Sequence, residues 1–301
     1  MELLSSLVAF KKSSGPIALA IGNFDGVHLG HQRIIEEIVK NPDLKSVVMS
    51  FEPHPIIFLN PQLSFKKLFP LSDQEQVFTK MKVQYFVRLK FNAELAEMTY
   101  KEFLSLIHSH LDIKKIVVGY DFRFGKNKEG TIDKLSQWCQ KNNIEFKKIE
   151  EVKMGAVTIS TSDIKRRLIS HDLKEVNKML GRNYYLSGVV VRGDQRGRLL
   201  GFPTANMLIE EDLQVPALGV YVTQVTLGQK NYLGVTNIGK TPTFKNDERI
   251  KIETHILDFN QDIYDQTIAI EFLRFLRDEK KFSSIDEIKF QIAKDIEESQ
   301  K

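Results

Sequence analysis

The hydrophobic rhythm of this chain changes once, near Tyr184, and that change constrains the fold more than any other feature. Before it, compact apolar runs at Ile17–Ile21, Ser46–Phe51, Tyr85–Leu89 and Lys115–Val118 alternate with helical patterns. Such runs suit strands buried on both faces of a parallel sheet. Between them, Ile34, Ile35, Ile38 and Val39 share one helical face, and Ser72-x-x-Glu75 and Thr99-x-x-Glu102 have the capping-box spacing. The β-α-β-α order predicts an α/β Rossmann-like domain, with ligands outside the carboxyl ends of the strands. After Tyr184, the runs Leu186–Val191, Gly219–Leu227, Asn231–Val235, Ile250–Leu257 and Thr267–Phe275 follow one another without helices. They predict a small antiparallel β-barrel or sandwich. Ser284-x-x-Glu287 and the stripe Ile285, Ile288, Ile292, Ile296 predict a closing C-terminal helix.

The 301 residues suffice for two such domains, divided as 1–182 and 183–301 across a short junction at 180–183. Charge divides at the same place. Residues 1–182 carry 28 basic against 21 acidic side chains, +7, whereas the rest carry 15 against 18, −3. A basic first half suits an anionic ligand, although a bland basic surface accounts for it almost as well. The overall charge of +4 is too small and dispersed for a nucleic-acid binder. No apolar run approaches the roughly 18 residues needed to span a bilayer. The opening MELLSSLVAFKK has its lysines after the apolar stretch and no A-x-A site, so it does not read as a signal peptide. With Cys139 the only cysteine, the expectation is a cytoplasmic enzyme with no obligate protein partner.

The densest motif of the first half is GNFDGVHLGHQ, Gly22 to Gln32, between a buried-strand pattern and an amphipathic helix. Gly22 and Gly26 permit a tight turn and close approach to a ligand. Asn23, Phe24 and Asp25 complete the loop. His28 and His31 flank Leu29-Gly30 and can present two imidazoles where helix-end amides already favour a phosphate. A second phosphate element lies in ISTSDIK, where Ser160, Thr161 and Ser162 open a helical pattern and Lys165 adds a cation one turn on. The same hydroxyls would serve equally as plain N-caps, and Lys165, Arg166 and Arg167 as a solvated face.

The densest motif of the second half is RGRLLGFPTAN, Arg196 to Asn206. Gly193, Gly197 and Gly201 allow a loop to wrap a nucleotide, and Pro203 fixes the backbone before Thr204. Thr204 and Asn206, two apart on an extended segment, offer hard oxygens on one side, suited to Mg²⁺ and phosphates. The alternative is a Thr/Asn turn with no ligand. Glu253 can be a base or a cross-strand charge.

These segments resemble a known family. GNFDGVHLGHQ and ISTSDIK are similar to the H-x-G-H nucleotidyltransferases and, more closely, to the N-terminal half of the bacterial bifunctional riboflavin kinases/FMN adenylyltransferases. SFEPHP at Ser50–Pro55 and VGYDFRFGKNKEG at Val118–Gly130 extend the likeness. PTAN, GVY at Gly219–Tyr221, NIGKTPTF at Asn237–Phe244, ETHILDF at Glu253–Phe259, DIYD at Asp262–Asp265 and FLRDEKKF at Phe275–Phe282 occur in riboflavin-kinase order. The resemblance implies a six-stranded kinase barrel that phosphorylates riboflavin with ATP, Thr204 and Asn206 serving Mg²⁺–ATP and Glu253 acting as base. It implies a first domain that transfers AMP from a second ATP to FMN, giving FAD. There His28 and His31 would stabilise the α-phosphate, and Ser160, Thr161, Ser162 and Lys165 would hold pyrophosphate. Two positions depart from the family: Lys165 and Thr241 stand where arginine is usual. A chain with one half vestigial, and a flavin-sensing binding protein, are the rival readings.

Overall fold

Burial on both faces explains why the apolar runs of the first half become inner strands. In a computed structural model, described for residues 1–10, 15–193, 196–241 and 249–301, the chain forms two compact units, Met1–Thr161 and Ser162–Lys301. The first begins with β1 (Glu2–Leu4), β2 (Ile17–Ile21), a 3₁₀ turn at Asp25–Val27, α1 (Leu29–Val39), β3 (Lys45–Glu52), α2 (Pro55–Leu59), α3 (Leu71–Lys80) and β4 (Tyr85–Lys90). It continues through α4 (Ala93–Glu97), α5 (Tyr100–His110), β5 (Ile113–Gly119), α6 (Ile132–Lys141), β6 (Glu145–Ile149) and the ribbon β7 (Lys153–Met154) and β8 (Val157–Thr158).

The first six strands form one parallel sheet in the order β1-β4-β3-β2-β5-β6. Every residue of β2 is buried. Ile17, Leu19 and Ile21 enter the core on one face with Leu104 and Leu135, while Ala18 and Ala20 face Ile34, Ile35 and Ile38 of α1. This is the two-sided wrapping that the apolar runs predicted. From β2 the sheet extends through β3, β4 and β1 on one side and through β5 and β6 on the other, the chain passing from β2 to β3 and from β5 to β6. Loops leaving β2 and β5 therefore diverge, which opens a crevice at the carboxyl ends of these two strands.

The expected capping box at Thr99 is present: Glu102 N donates to Thr99 Oγ1 at 3.3 Å and Thr99 N donates to Glu102 Oε2 at 2.7 Å. The box expected at Ser72 is not. Helix α3 starts two residues earlier, with extended Pro70 as its N-cap, so Ser72 already lies inside the first turn.

The second unit comprises α7 (Thr161–Leu168, entered after its first residue), α8 (Leu173–Leu180), β9 (Tyr184–Val191), α9 (Arg196–Leu200), β10 (Ala205–Leu208), β11 (Gly219–Leu227), β12 (Lys230–Thr241), β13 (Arg249–Ile256), β14 (Thr267–Arg277) and α10 (Ile285–Ser299). Its six strands close an antiparallel barrel in the order β10-β13-β12-β11-β14-β9, sealed by β9 against β10. Helix α8 buries Leu173, Val176, Met179 and Leu180 and ends at Gly181 in the left-handed region. Asn177 then fastens it to the barrel, accepting from Tyr184 N at 2.8 Å and donating to Phe272 O at 3.2 Å. Inside the barrel, Thr223, Thr236 and Thr254 are wholly buried and linked hydroxyl to hydroxyl at 2.8 Å each.

The closing helix exists, capped by Ser284, which accepts from Glu287 N at 3.2 Å. Its expected apolar stripe is a core seam only in part: Ile296 packs against the buried cluster of Val220, Val235 and Leu257, while the start of the stripe does not. Ile285 is 62% exposed, and the buried residues of α10 are Asp295 and Ser299. Arg277 grips Asp295 with two parallel bonds, Nε to Oδ1 at 2.9 Å and Nη2 to Oδ2 at 2.7 Å. A polar clamp thus anchors the helix, and Ile288 and Ile292 border a cavity instead of a packed wall. Among the described residues, no helix is long and apolar enough to cross a membrane.

Candidate active sites

The turn after β2 lies at the crevice. Its backbone is contorted: Phe24 and Val27 take positive φ values of 53° and 40°, and Gly26 takes 80°. For a buried β-branched residue such as Val27 this is a costly conformation, of the kind structures retain at working sites. Gly26 is required for a second reason, because a Cβ there would come within 2.5 Å of Leu68 Cδ1.

His28 ends the turn and caps α1, its Nδ1 accepting from His31 N at 3.3 Å. That bond leaves the proton on Nε2 and makes this nitrogen the donor. The two rings stack with centroids 3.7 Å apart and planes 18° apart. Gly30 makes the stack possible, since a Cβ there would lie 3.0 Å from His28 Cε1. Burial, followed by the neighbouring His28, holds His31 well below the usual imidazole range. His31 Nδ1 is sealed from solvent with no hydrogen-bond partner, and so is Asn23 Oδ1. Buried polar atoms in that state are rare, and an ordered water, an ion or a ligand commonly completes their bonding.

The remaining loop residues divide in role. Phe24 is buried in the core against Phe78, centroids 6.0 Å apart, so only its backbone remains to face a nucleotide. Asp25 is 5% exposed and accepts from Leu68 N at 2.7 Å. Gly22 lies against the Phe24 ring, where a Cβ would approach to 3.2 Å. Thr161 Oγ1 donates to Asp25 O at 3.1 Å, which ties the start of α7 to the histidine turn. Ser160 is partly buried. Ser162 and Lys165 belong to the second unit, exposed and partly buried respectively. Arg167 is no solvated cation: it bonds Asp163 at 2.8 Å and also Asp172.

In the barrel unit, two cavities share one wall residue, Thr204. The smaller, about 330 Å³, is lined by Gly193, Thr204, Asn206, Asp262 and Tyr264 among others. The larger, about 630 Å³, is lined by Thr204, Val220, Val235, Asn237, Glu253, Ile288 and Ile292 among others. The first is lined mainly by polar groups, and the second by a mixture of apolar and polar side chains. Asn206 is 8% exposed and its Oδ1 has no hydrogen-bond partner. Gly193 closes over it, for a Cβ there would lie 2.5 Å from three atoms of the Asn206 side chain. Gly201 turns the chain at φ 89° before the PTAN segment. His255 Nδ1 sits 2.8 Å from Pro203 O, donating to that carbonyl and fixing the peptide that leads into Thr204.

Barrel register sets Glu253 between two asparagines. It pairs with Asn206 of β10 on one side and Asn237 of β12 on the other. Sequence reasoning missed Asn237 and Lys251, whose Nζ lies 3.1 Å from Glu253 Oε1. Alternation along β13 places both charges on one face, a signal that reads equally as an ordinary strand surface. The side chain of Thr241, and residues 242–248 with the Pro-Thr-Phe of NIGKTPTF, lie outside the described residues.

The fold and the two sites define a class of two-unit transferases, in which a nucleotidyltransferase sheet is joined to a kinase barrel. Comparison with known proteins agrees. The FAD synthetase family model matches residues 10–163, and the riboflavin kinase model matches residues 180–301. The bifunctional riboflavin kinase/FMN adenylyltransferase of Listeria monocytogenes is 34% identical over 285 residues, 93% of this chain and 90% of that one. Its counterpart in Bacillus subtilis is 35% identical over 295 residues, 96% of this chain and 93% of that one. A solved structure described as a macrolide-efflux protein from Streptococcus pneumoniae matches with TM-score 0.89 and 30% identity, over 100% of this chain and 99% of the other. The chain belongs to the bifunctional riboflavin kinase/FMN adenylyltransferase family. The family models leave most of α7 and all but the end of α8 between them, whereas compactness groups these helices with the barrel.

Proposed function

We propose that this chain makes FAD from riboflavin in two ATP-dependent steps, one in each unit. In the barrel, ATP occupies the smaller cavity and riboflavin the larger, so that the γ-phosphate and the ribityl terminal hydroxyl meet at Thr204. Glu253 takes the hydroxyl proton as the oxygen attacks the γ-phosphorus; the bond to the bridging oxygen breaks and ADP leaves. Mg²⁺ would be held by Thr204 and Asn206. The sealed, partnerless Oδ1 of Asn206 is the hard oxygen such an ion needs, and when bound the ion neutralises phosphate charge.

In the sheet unit, a phosphate oxygen of FMN attacks the α-phosphorus of ATP, and pyrophosphate leaves. No base is required, because that phosphate is already ionised near neutrality. His28 and His31 donate to the oxygens on which charge develops. Asn23 and the turn amides orient the nucleotide. Ser160 and Thr161 hold the leaving pyrophosphate; the family resemblance gives the same task to Ser162 and Lys165, the lysine offering a point charge without the fork of arginine. A single buried cysteine, Cys139, its thiol pushed up to about 12 by burial, fits a reducing cytoplasm.

The observation that carries the kinase reading is Thr204 on the shared wall of two cavities, with Glu253 lining the larger. The test is chromatography of the purified protein with riboflavin, Mg²⁺ and ATP over time. FMN should appear and then give way to FAD. Lys165 favours one alternative, a kinase whose adenylyl transfer has lapsed, which would show as FMN accumulating alone. Formation of neither product would refute both.

A further inference from the structure

Lys251 has no assigned role, yet it is the cation held against the carboxylate that the kinase reading makes its base. We infer that Lys251 is a positioning residue for phosphoryl transfer, holding one oxygen of Glu253 so that the other faces the attacking hydroxyl. The inference rests on the proposed role of Glu253 and deepens it.

Several observations converge on this pair. The two residues are i and i+2 on β13 and both line the larger cavity. Their N–O separation is 3.1 Å, and their side chains are 25% and 29% exposed, so the contact is half withdrawn from water. The cross-strand partner of Lys251 is Gly239 on β12. The space a side chain would fill at Gly239 is taken by Glu279, whose Oε1 would be 2.4 Å from a Cβ there and which accepts from Asn237 Nδ2 at 3.4 Å. Glu253 is thus flanked by Asn206, Asn237 and Lys251, with the Glu279 carboxylate over Gly239 and beside Asn237.

The geometry answers a need of the chemistry. A glutamate on a strand has three rotatable bonds, and a base that swings loses the alignment on which rate depends. An ammonium on Oε1 removes that freedom and leaves Oε2 as the acceptor. In the reaction the ribityl O–H bond breaks, its proton passes to Glu253 Oε2, the new O–P bond forms and ADP departs. Lys251 keeps its own protons throughout.

The test compares Lys251→Met, Lys251→Arg, Glu253→Gln and the double variant Lys251→Met/Glu253→Gln in riboflavin phosphorylation. The same preparations are checked for barrel folding by circular dichroism and thermal melting, with the FMN adenylylation rate as a control on the other unit. Lys251→Met should lower kcat on the order of 10- to 100-fold with KM for riboflavin and ATP changed little. Lys251→Arg should recover much of the loss, and the double variant should be no slower than Glu253→Gln alone. A purely structural lysine would instead add its effect to that of Glu253→Gln. Wild-type kcat in Lys251→Met beside an inactive Glu253→Gln would overturn the inference and spare the base. A near-normal Glu253→Gln would remove the base, and the inference with it.

Discussion

His28 serves two purposes that a pair of substitutions can separate. Its Nδ1 caps α1 and its ring stacks on His31, while its Nε2 carries the proton. Alanine removes all three functions. Loss of an N-cap costs about 1 kcal/mol, and loss of a buried stacked ring pair about 1 kcal/mol more. Asparagine restores a capping acceptor but supplies no imidazole, so His28→Asn should lose only the second contribution. The two variants should therefore differ by about 1 kcal/mol, or about 2–4 °C in the melting of a unit of this size. Both should lose FAD formation by about 10²–10³-fold, the usual effect of deleting one donor to developing charge. Riboflavin phosphorylation should survive in both. FAD formation from FMN, followed by chromatography beside thermal melts, reads all three quantities. FAD synthesis by His28→Asn within a few-fold of wild type would refute the donor role, and identical melting of the two variants would refute the cap.

Burial holds the folded-state His31 well below its unfolded value near 6.5. The neutral ring therefore stabilises fully above pH 6.5, and the stabilisation is lost as pH falls from there towards the folded value, by up to about 1.4 kcal/mol per pH unit. Melting followed from pH 7.5 to 5.5 should show this slope in the wild type and a shallower one in His31→Phe; equal slopes would count against it. Gly193→Ala forces a methyl into Asn206 and should cost about 1–3 kcal/mol of strain, depressing FMN formation while sparing FMN adenylylation. A wild-type kcat/KM for the kinase would mean that Asn206 moves aside freely. Thr236→Val removes the middle of the buried threonine ladder and strands two hydroxyls, for a loss of about 2–4 kcal/mol in denaturant unfolding. Converting all three threonines to valine should recover much of that loss, and a neutral single variant would mean that the outer pair finds other partners.

The parts of the fold legible in the sequence were those with a strong, unshared period. The runs at β2, β3, β4 and β5 stand out because they are mostly apolar and buried, with only single polar residues such as Ser50 in β3 and Arg88 in β4 inside them. The outer strands β1 and β6 were not foreseen. The first is three residues long and the second mixes charges with apolar residues, as edges facing water do. The isoleucine stripe of α10 was right at Ile296, which packs on the barrel core, and incomplete at Ile288 and Ile292, because apolarity does not say whether its counterpart is packed protein or a cavity. Motif spacing singled out His28, Thr204 and Asn206, since glycines and a proline around them demand unusual backbone; the structure puts Thr204 and Asn206 on the wall of one cavity. Lys251 escaped notice because its significance arises only from a contact with Glu253. Asn237 escaped because barrel register, not sequence distance, brings it to Glu253.

The arrangement of strands also bears on how the folded chain behaves when crowded. A closed barrel presents no unpaired ladder, and the sheet ends in β1, three residues long, and β6, where Glu145, Lys147 and Lys148 interrupt the apolar pattern. Short or charged borders discourage the addition of a foreign strand. Intermolecular β-pairing through the barrel must therefore begin with parting β9 from β10 or another of its ladders, so protection against fibril growth there is tied to the same closure that shapes the kinase cavities.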